Sequence, residues 1–337
     1  MSRTDTFRER LEKMAAPRAR GGGAEEAAAS RPSLDWRQYV VYIAFVLVFA
    51  GFAITLNGQG FLTHNNLLNI VSQTATISIM AVAVTFVISA AEIDLSVGAV
   101  AGLASVMTAM TIEHIGLVPG ILAGLLTGCL VGSINGGLVT LVGIPSFLVT
   151  LGMLGIANGV AMWVTDSAPQ PILNQTYNNI FGSGQVWGIP ALVIWTLVAV
   201  AIGFVVLRKT PYGRYVLATG GNEEAARFSG VPTRRIKFTV LLVSGMVAAL
   251  AGMLYAGRLQ SGRFQWGQGD ELSVIAAVIL GGTSLFGGRG SVIGALIGSL
   301  MIGLINNGLL ILGLQFSQQQ IVRGVIIILA VALAARE

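Results

Sequence analysis

Two ionisable residues stand together in an otherwise apolar stretch: Glu92 and Asp94, in S-A-A-E-I-D-L-S-V-G, at the junction of two oily runs. An ionisable group kept within membrane spans can bind substrate, gate a path or carry a proton. Asp94 is also well placed to cap a helix that begins near Leu95. Both roles are open on the residues alone. A second polar constellation is G-G-N-E-E-A-A-R-F-S-G-V-P, residues 220–232. It predicts a water-soluble helix of about seven residues, roughly 10 Å long. Asn222 can cap it, Glu223 and Glu224 suit the positive end of its dipole, and Gly230 suits the left-handed residue that follows. Pro232 prevents continuation. Such a helix either docks on a partner or is a solvated connector. For docking, Glu223, Glu224 and Arg227 supply charge and Phe228 supplies an apolar anchor.

Other chemistry is missing from the pattern. No G-x-x-x-x-G-K-[ST] occurs, and the three lysines, Lys13, Lys209 and Lys237, follow no phosphate-binding glycine loop. G-G-T-S-L-F-G-G-R-G-S at 281–291 lacks the lysine and sits between apolar runs. His64 and His114 fall at span ends, far apart, as interfacial residues. Cys129 is the single cysteine, so neither a disulfide framework nor a cysteine metal site can form. The expectation is a non-enzyme with no catalytic residue, metal or cofactor.

The elements that hold these residues are membrane helices. Of 337 residues, 54% are hydrophobic and only 10% charged, against about 25% charged in a soluble domain. Mean hydropathy is +0.78, and the 44 glycines suit closely packed membrane helices. Eight of the 20 Lys and Arg fall in residues 1–37, none in 38–207, and seven in 208–237. Basic residues beside spans stay in the cytoplasm. Both basic regions are therefore expected inside, separated by an even number of crossings. The cytoplasmic charges account for the basic balance, so no nucleic acid is implied.

Residues 1–37 are expected to form a disordered cytoplasmic tail, with a helical stretch near 6–14. Six apolar segments follow: 39–56, 67–90, 96–112, 117–139, 146–164 and 189–207. Four more lie at 238–257, 272–286, 291–313 and 319–335. The polar stretch 165–188 falls outside. Arg258 and Arg263 are also placed outside, a mild violation of the charge rule, while Arg289 falls inside. Segment 272–286 is short and is expected to tilt or re-enter. The fold class is thus an all-α polytopic membrane protein of about ten spans with both termini cytoplasmic; eight spans with re-entrant pieces is the alternative.

A weak internal repeat supports the count. G-S-I-N-G-G-L at 132–138 resembles G-L-I-N-N-G-L at 303–309. Small residues at four-residue spacing precede both: Gly124, Gly128, Gly132 and Ala295, Ser299, Gly303. Two inverted five-helix halves, 38–188 and 189–337, follow, with the pathway between them. Asn135, Asn306 and Asn307 are expected to serve helix packing.

Three stretches carry a family resemblance: E-I-D-L-S-V-G-A-V-A-G-L-A-S-V at 92–106, A-T-G-G-N-E-E-A-A-R-F-S-G-V at 218–231, and G-G-T-S-L-F-G-G-R-G-S-V-I-G-A-L-I-G at 281–298. In this order and spacing they resemble the membrane permease of ATP-binding cassette importers of monosaccharides such as ribose and xylose. The resemblance runs from about residue 40 to the end. Two departures are visible: many relatives have Gly-Gly where this chain has Ala91-Glu92, and often Arg where it has Asn158. E-I-D-L-S resembles the xylose-type members.

The resemblance implies a type II permease fold like that of vitamin B12 importers, in the bacterial inner membrane. It implies a coupling helix in the loop 208–237, docked on a separate ATPase subunit, a soluble extracytoplasmic sugar-binding protein, and a second permease copy. The cargo implied is a pentose such as xylose or ribose. Branched-chain amino acid permeases of the same class and motor-independent carriers are the rivals. A neutral, hydroxyl-rich cargo needs weakly hydrogen-bonding side chains along its path. Asn69, Gln73 and Thr76 lie at i, i+4 and i+7 on one helix face. They supply either that path or interhelical hydrogen bonds.

Overall fold

The computed structural model describes residues 40–334. The expected tail, with its helical stretch near 6–14, lies outside the described residues. A helix occupies each of the ten apolar segments: α1 Val40–Thr55, α2 His64–Ser89, α3 Val97–His114, α4 Leu117–Gly137 and α5 Ser146–Thr165 in the first part. After a four-residue helix, α6 Gln175–Asn178, come α7 Ala191–Lys209, α8 Pro211–Gly221, α9 Glu223–Phe228, α10 Thr233–Leu259, α11 Asp270–Leu280, α12 Val292–Ile311 and α13 Phe316–Ala334. Seven of them are long and apolar enough to cross a membrane: α2, α3, α4 with its π-helical extension to Val142, α5, α7, α10 and α12. The chain is therefore a helical, multi-pass membrane protein. The short segment expected near 272–286 is a helix of only 11 residues.

The centre is built on α2 and α10, apolar nearly all round. Ile79, Met80 and Val84 on α2, and Leu241, Ala248 and Met253 on α10, are fully buried. Over residues 74–89 of α2 every side is buried, so that stretch is surrounded by other helices. Close approach is set by small residues. A Cβ at Gly128 or Gly132 of α4 would collide with the backbone of Gly245 or Leu242 on α10. The matching stripe on α12 meets α2: Ser299 Oγ lies 2.7 Å from Ser78 Oγ, and Gly303 sits against Thr74. Asn307 exchanges two side-chain hydrogen bonds with Asn66 of α2, at 2.9 and 3.0 Å. Asn135 donates to Ser96, beside α3. These asparagines thus bond across elements.

The polar stretch after α5 is more structured than an open loop. Gln170–Pro171 pairs with Ser261–Gly262, and Gln185–Val186 turns back on Ile189–Pro190. Tyr177, wholly buried, donates to the Met253 carbonyl at 2.8 Å and stacks on Phe181. These short strand pairs are the departure from an all-helical chain.

One expectation needs correction. Residues 208–237 do not form a loop around one short helix. Span helix α7 runs on to Lys209 and α8 fills 211–221, so little of the region is irregular. The signal was present: Thr210 caps α8 by accepting from the Gly213 amide, and Pro211 occupies its first turn. Arg263 lies in the non-helical connection after α10, packed beside α3. Its amide and carbonyl both bond the Ser105 hydroxyl, at 3.1 Å each, partway along α3.

Candidate functional site

The three motif stretches are far apart in sequence but meet at one end of the bundle. The first is the non-helical run between α2 and α3. Its free backbone groups are taken up by α5: Ser146 and Thr150 hydroxyls accept from the Ile93 and Leu95 amides at 3.0 and 3.1 Å. Buried irregular backbone is tolerated only with such partners. Ala91 takes the left-handed conformation (φ 60°) that lets the chain turn inward.

The second stretch supplies α8 and α9. Asn222 caps α9 as expected, accepting from the Ala225 amide at 2.9 Å, and Gly230 has φ +84°. Helix α9 is six residues long. Phe228 is 81% exposed, and Glu224 and Arg227 are exposed beside it. The third stretch is the turn between α11 and α12. Its Gly288 amide donates to the Ser89 carbonyl at 3.0 Å. Gly220 packs into this contact so tightly that a Cβ would overlap Ser89 O and approach Gly288 N. Phe286, on the same turn, is 74% exposed.

One residue outside the three motifs ties two of them together. Lys237, in the second turn of α10, places Nζ 2.8 Å from Glu92 Oε1 and 2.7 Å from Glu223 Oε2. The Glu92 side chain is only 7% exposed and Glu223's is 46% exposed. A carboxylate so buried needs a cation. Lys237 meets that need and tethers α9 to the run entering the bundle. The sequence assigns Lys237 no role, although a lysine near the start of a span, nine residues after an acidic helix, was a usable signal.

Asp94 acts differently from the expected cap. The first helical residue of α3 is Val97, and Ser96 precedes it. Asp94 accepts from the Ser96 amide and hydroxyl, at 2.9 and 2.6 Å, and from Ser244 Oγ of α10 at 2.7 Å. Asn135 of α4 completes the set, donating to Ser96 Oγ at 3.0 Å. Glu92 and Asp94 therefore serve separate networks, one at the junction and one deeper.

The expected stripe is graded. Asn69 and Gln73 are exposed, whereas Thr76 is buried against Tyr255 of α10. The stripe and the motif junction lie at different levels of α2: Thr76 is 13 residues from Ser89, about 20 Å along the helix.

The profile of the family described as branched-chain amino acid transport system / permease component matches residues 66–331. The ribose import permease protein RbsC of Bacillus subtilis (strain 168) is 42% identical over 291 residues, 86% of this chain and 89% of its own. The probable ABC transporter permease protein YphD of Escherichia coli (strain K12) is 42% identical over 293 residues, 87% of this chain and 86% of its own. The D-allose transport system permease protein AlsC of the same strain is 35% identical over 314 residues, 91% and 95% of the two chains. No solved structure matches the chain significantly.

Proposed function

We propose, given that this chain belongs to the branched-chain amino acid transport system / permease component family, that it is the membrane subunit of an ATP-binding cassette importer for a monosaccharide. The carrying observation is the near full-length likeness to permeases named for ribose and D-allose. It favours a sugar over the branched-chain amino acids of the family description. Hydrolysis of ATP belongs to a separate chain, and an extracytoplasmic binding protein delivers the sugar. Uptake by vesicles holding the complete complex tests this. ATP-driven entry of radiolabelled ribose or allose is expected; entry of leucine in place of sugar overturns it.

The finer architecture is ten crossings in two inverted halves, 38–188 and 189–337, with the type II arrangement, two copies, and termini in the cytoplasm of a bacterial inner membrane. Packing supports it. Helix α4 lies on α10, and α12 lies on α2. Exchanging the halves turns one pair into the other. Cysteines placed at exposed Thr176 and Arg289, in a Cys129→Ala background, separate the topologies. Thr176→Cys reacts with an impermeant thiol reagent on intact cells. Arg289→Cys reacts only once the membrane is opened. Labelling of both from outside sinks the orientation.

Helix α9 is the coupling helix in this reading, docking on the ATPase through Glu223, Glu224, Arg227 and Phe228, with Gly230 and Asn222 holding its ends. A short helix capped at both ends transmits a push that an irregular loop would absorb. Because Phe228 is largely solvent-exposed, Phe228→Ala leaves the permease folded. Loss of such an aromatic anchor lowers co-purification of the ATPase by about tenfold or more. Glu224→Lys costs less, since an exposed charge pair contributes under about 1 kcal/mol. Unchanged ATPase recovery with Phe228→Ala removes the docking role. Asn69, Gln73 and Thr76 are read as part of the sugar's path.

A further inference from the structure

Residues 263–269 form an irregular backbone run between the strand Ser261–Gly262 and α11. The run is not helical; it descends along α3 from Ser105 toward Gly98. Ser105 lies nine residues, about 13 Å, short of the α3 terminus at His114. The run is therefore inside the length of the bundle. It is held by design of sequence on both sides. A Cβ at Gly98 or Gly102 would collide with the carbonyls of Gly267, Phe264 or Trp266. Gly267 and Gly269 take φ of +84° and +83°, which a side chain would strain.

Its side chains form a polar group. The Arg263 guanidinium carbon lies 5.4 Å from the centre of the Trp266 ring, which stacks on Tyr255. Tyr255 donates to Asp270 at 2.5 Å and abuts Thr76. Gln265 and Gln268 are exposed. Irregular backbone and carboxamides at this depth are not tolerated against lipid; they line water or lie against protein.

A second observation comes from the repeat. D-L-S-V at 94–97 leads into α3 and E-L-S-V at 271–274 lies at the start of α11, and a non-helical run precedes each helix. Broken helices in matching positions of inverted halves are where transporters bind cargo. The halves use the pattern unequally. Ser96 is engaged by Asp94 and Asn135, whereas the fully buried Ser273 hydroxyl has no partner among the described residues.

We propose that residues 263–268 line the path of a neutral, polyhydroxylated solute through the outer half of the bundle, with Gln265 and Gln268 as its hydrogen-bonding contacts. This rests on the sugar-permease reading. Carboxamides donate and accept without a fixed charge, matching hydroxyls while leaving the solute free to move on. The path continues the face of Asn69, Gln73 and Thr76, which reaches the same group through Tyr255.

The test uses cells making the complete importer, with Gln265→Cys or Gln268→Cys in the Cys129→Ala background. A thiol reacts as its thiolate, so a water-lined site reacts with an impermeant methanethiosulfonate at least about tenfold faster than Leu126→Cys on the exposed apolar face of α4. Reaction is expected at both positions, with block of uptake of ribose or allose, whichever the unmodified protein imports. Two inert cysteines overturn the proposal. So does oxidation to a disulfide-linked pair of copies without reagent labelling, which makes this face the seam between copies. If the unmodified importer takes up neither sugar, the cargo reading fails, while labelling still decides whether the run lines water.

Discussion

Replacing Lys237 with Met is expected to separate ATP hydrolysis from sugar transport and to destabilise the permease. Lys237 is the cation bonded to Glu92, whose side chain is 7% exposed. Removing one partner of a buried pair strands the other, at a cost of about 3–5 kcal/mol. The same change cuts the tether to Glu223 on α9. Stability and coupling can be told apart by a second substitution. Glu92→Met with Lys237→Met removes both buried charges, and an apolar pair of similar volume is often neutral. The double variant should regain the melting temperature in detergent yet still hydrolyse ATP without matched sugar entry. Glu223→Gln alone, at a half-exposed site, should shift melting little, since such pairs contribute under about 1 kcal/mol. Full transport by the double variant would reduce Lys237 to a counter-charge with no part in coupling.

Gly220→Ala is expected to abolish transport, while Gly221→Ala, one residue on, leaves it near normal. The contrast is geometric. A Cβ on Gly220 would overlap the Ser89 carbonyl oxygen, which itself accepts from the Gly288 amide. These are backbone atoms, which cannot swing aside like a side chain. Relief requires that α8, the end of α2 and the 281–290 turn move apart, typically costing about 1–3 kcal/mol. A Cβ on Gly221 meets only Gly288 Cα, at 3.7 Å, an ordinary contact. If motion of α8 and α9 passes to α2 through this contact, the loss falls on sugar entry per ATP hydrolysed more than on the yield of folded protein. Equal behaviour of the two alanine variants would rule out that route.

The junction also explains why such distant stretches have their wording. Gly220, Gly287 and Gly288 allow three backbones to touch, and Glu92 and Glu223 share one lysine. Phe228 and Phe286 face outward from the same end of the chain fold. In the interior half of this site Glu92 is paired with Lys237 and Asp94 is hydrogen-bonded by Ser96 and Ser244, whereas the two aromatic side chains stay exposed.

Much was legible from composition and local pattern. Long apolar runs and the uneven placement of Lys and Arg determined a multi-pass helical membrane protein, because a bilayer demands internal hydrogen bonding over some 20 residues per crossing. The ends of α9 were readable because capping is local: Asn222 and Gly230 act within a few residues. Residues 211–221 were missed as a helix because the basic cluster of 208–237 was read as one loop, and the cap at Thr210 with Pro211 after it was passed over. Other features depended on contacts between remote segments. No local rule brings Lys237 to Glu92, 145 positions away, or turns Asp94 from a cap into the partner of Ser244. The descent of Arg263 beside Ser105 was equally hidden, since glycines on α3 and turns at Gly267 and Gly269 make room for it only when packed together. Periodicity and capping are encoded over one or two helical turns; which faces meet is decided by the packing of the whole bundle.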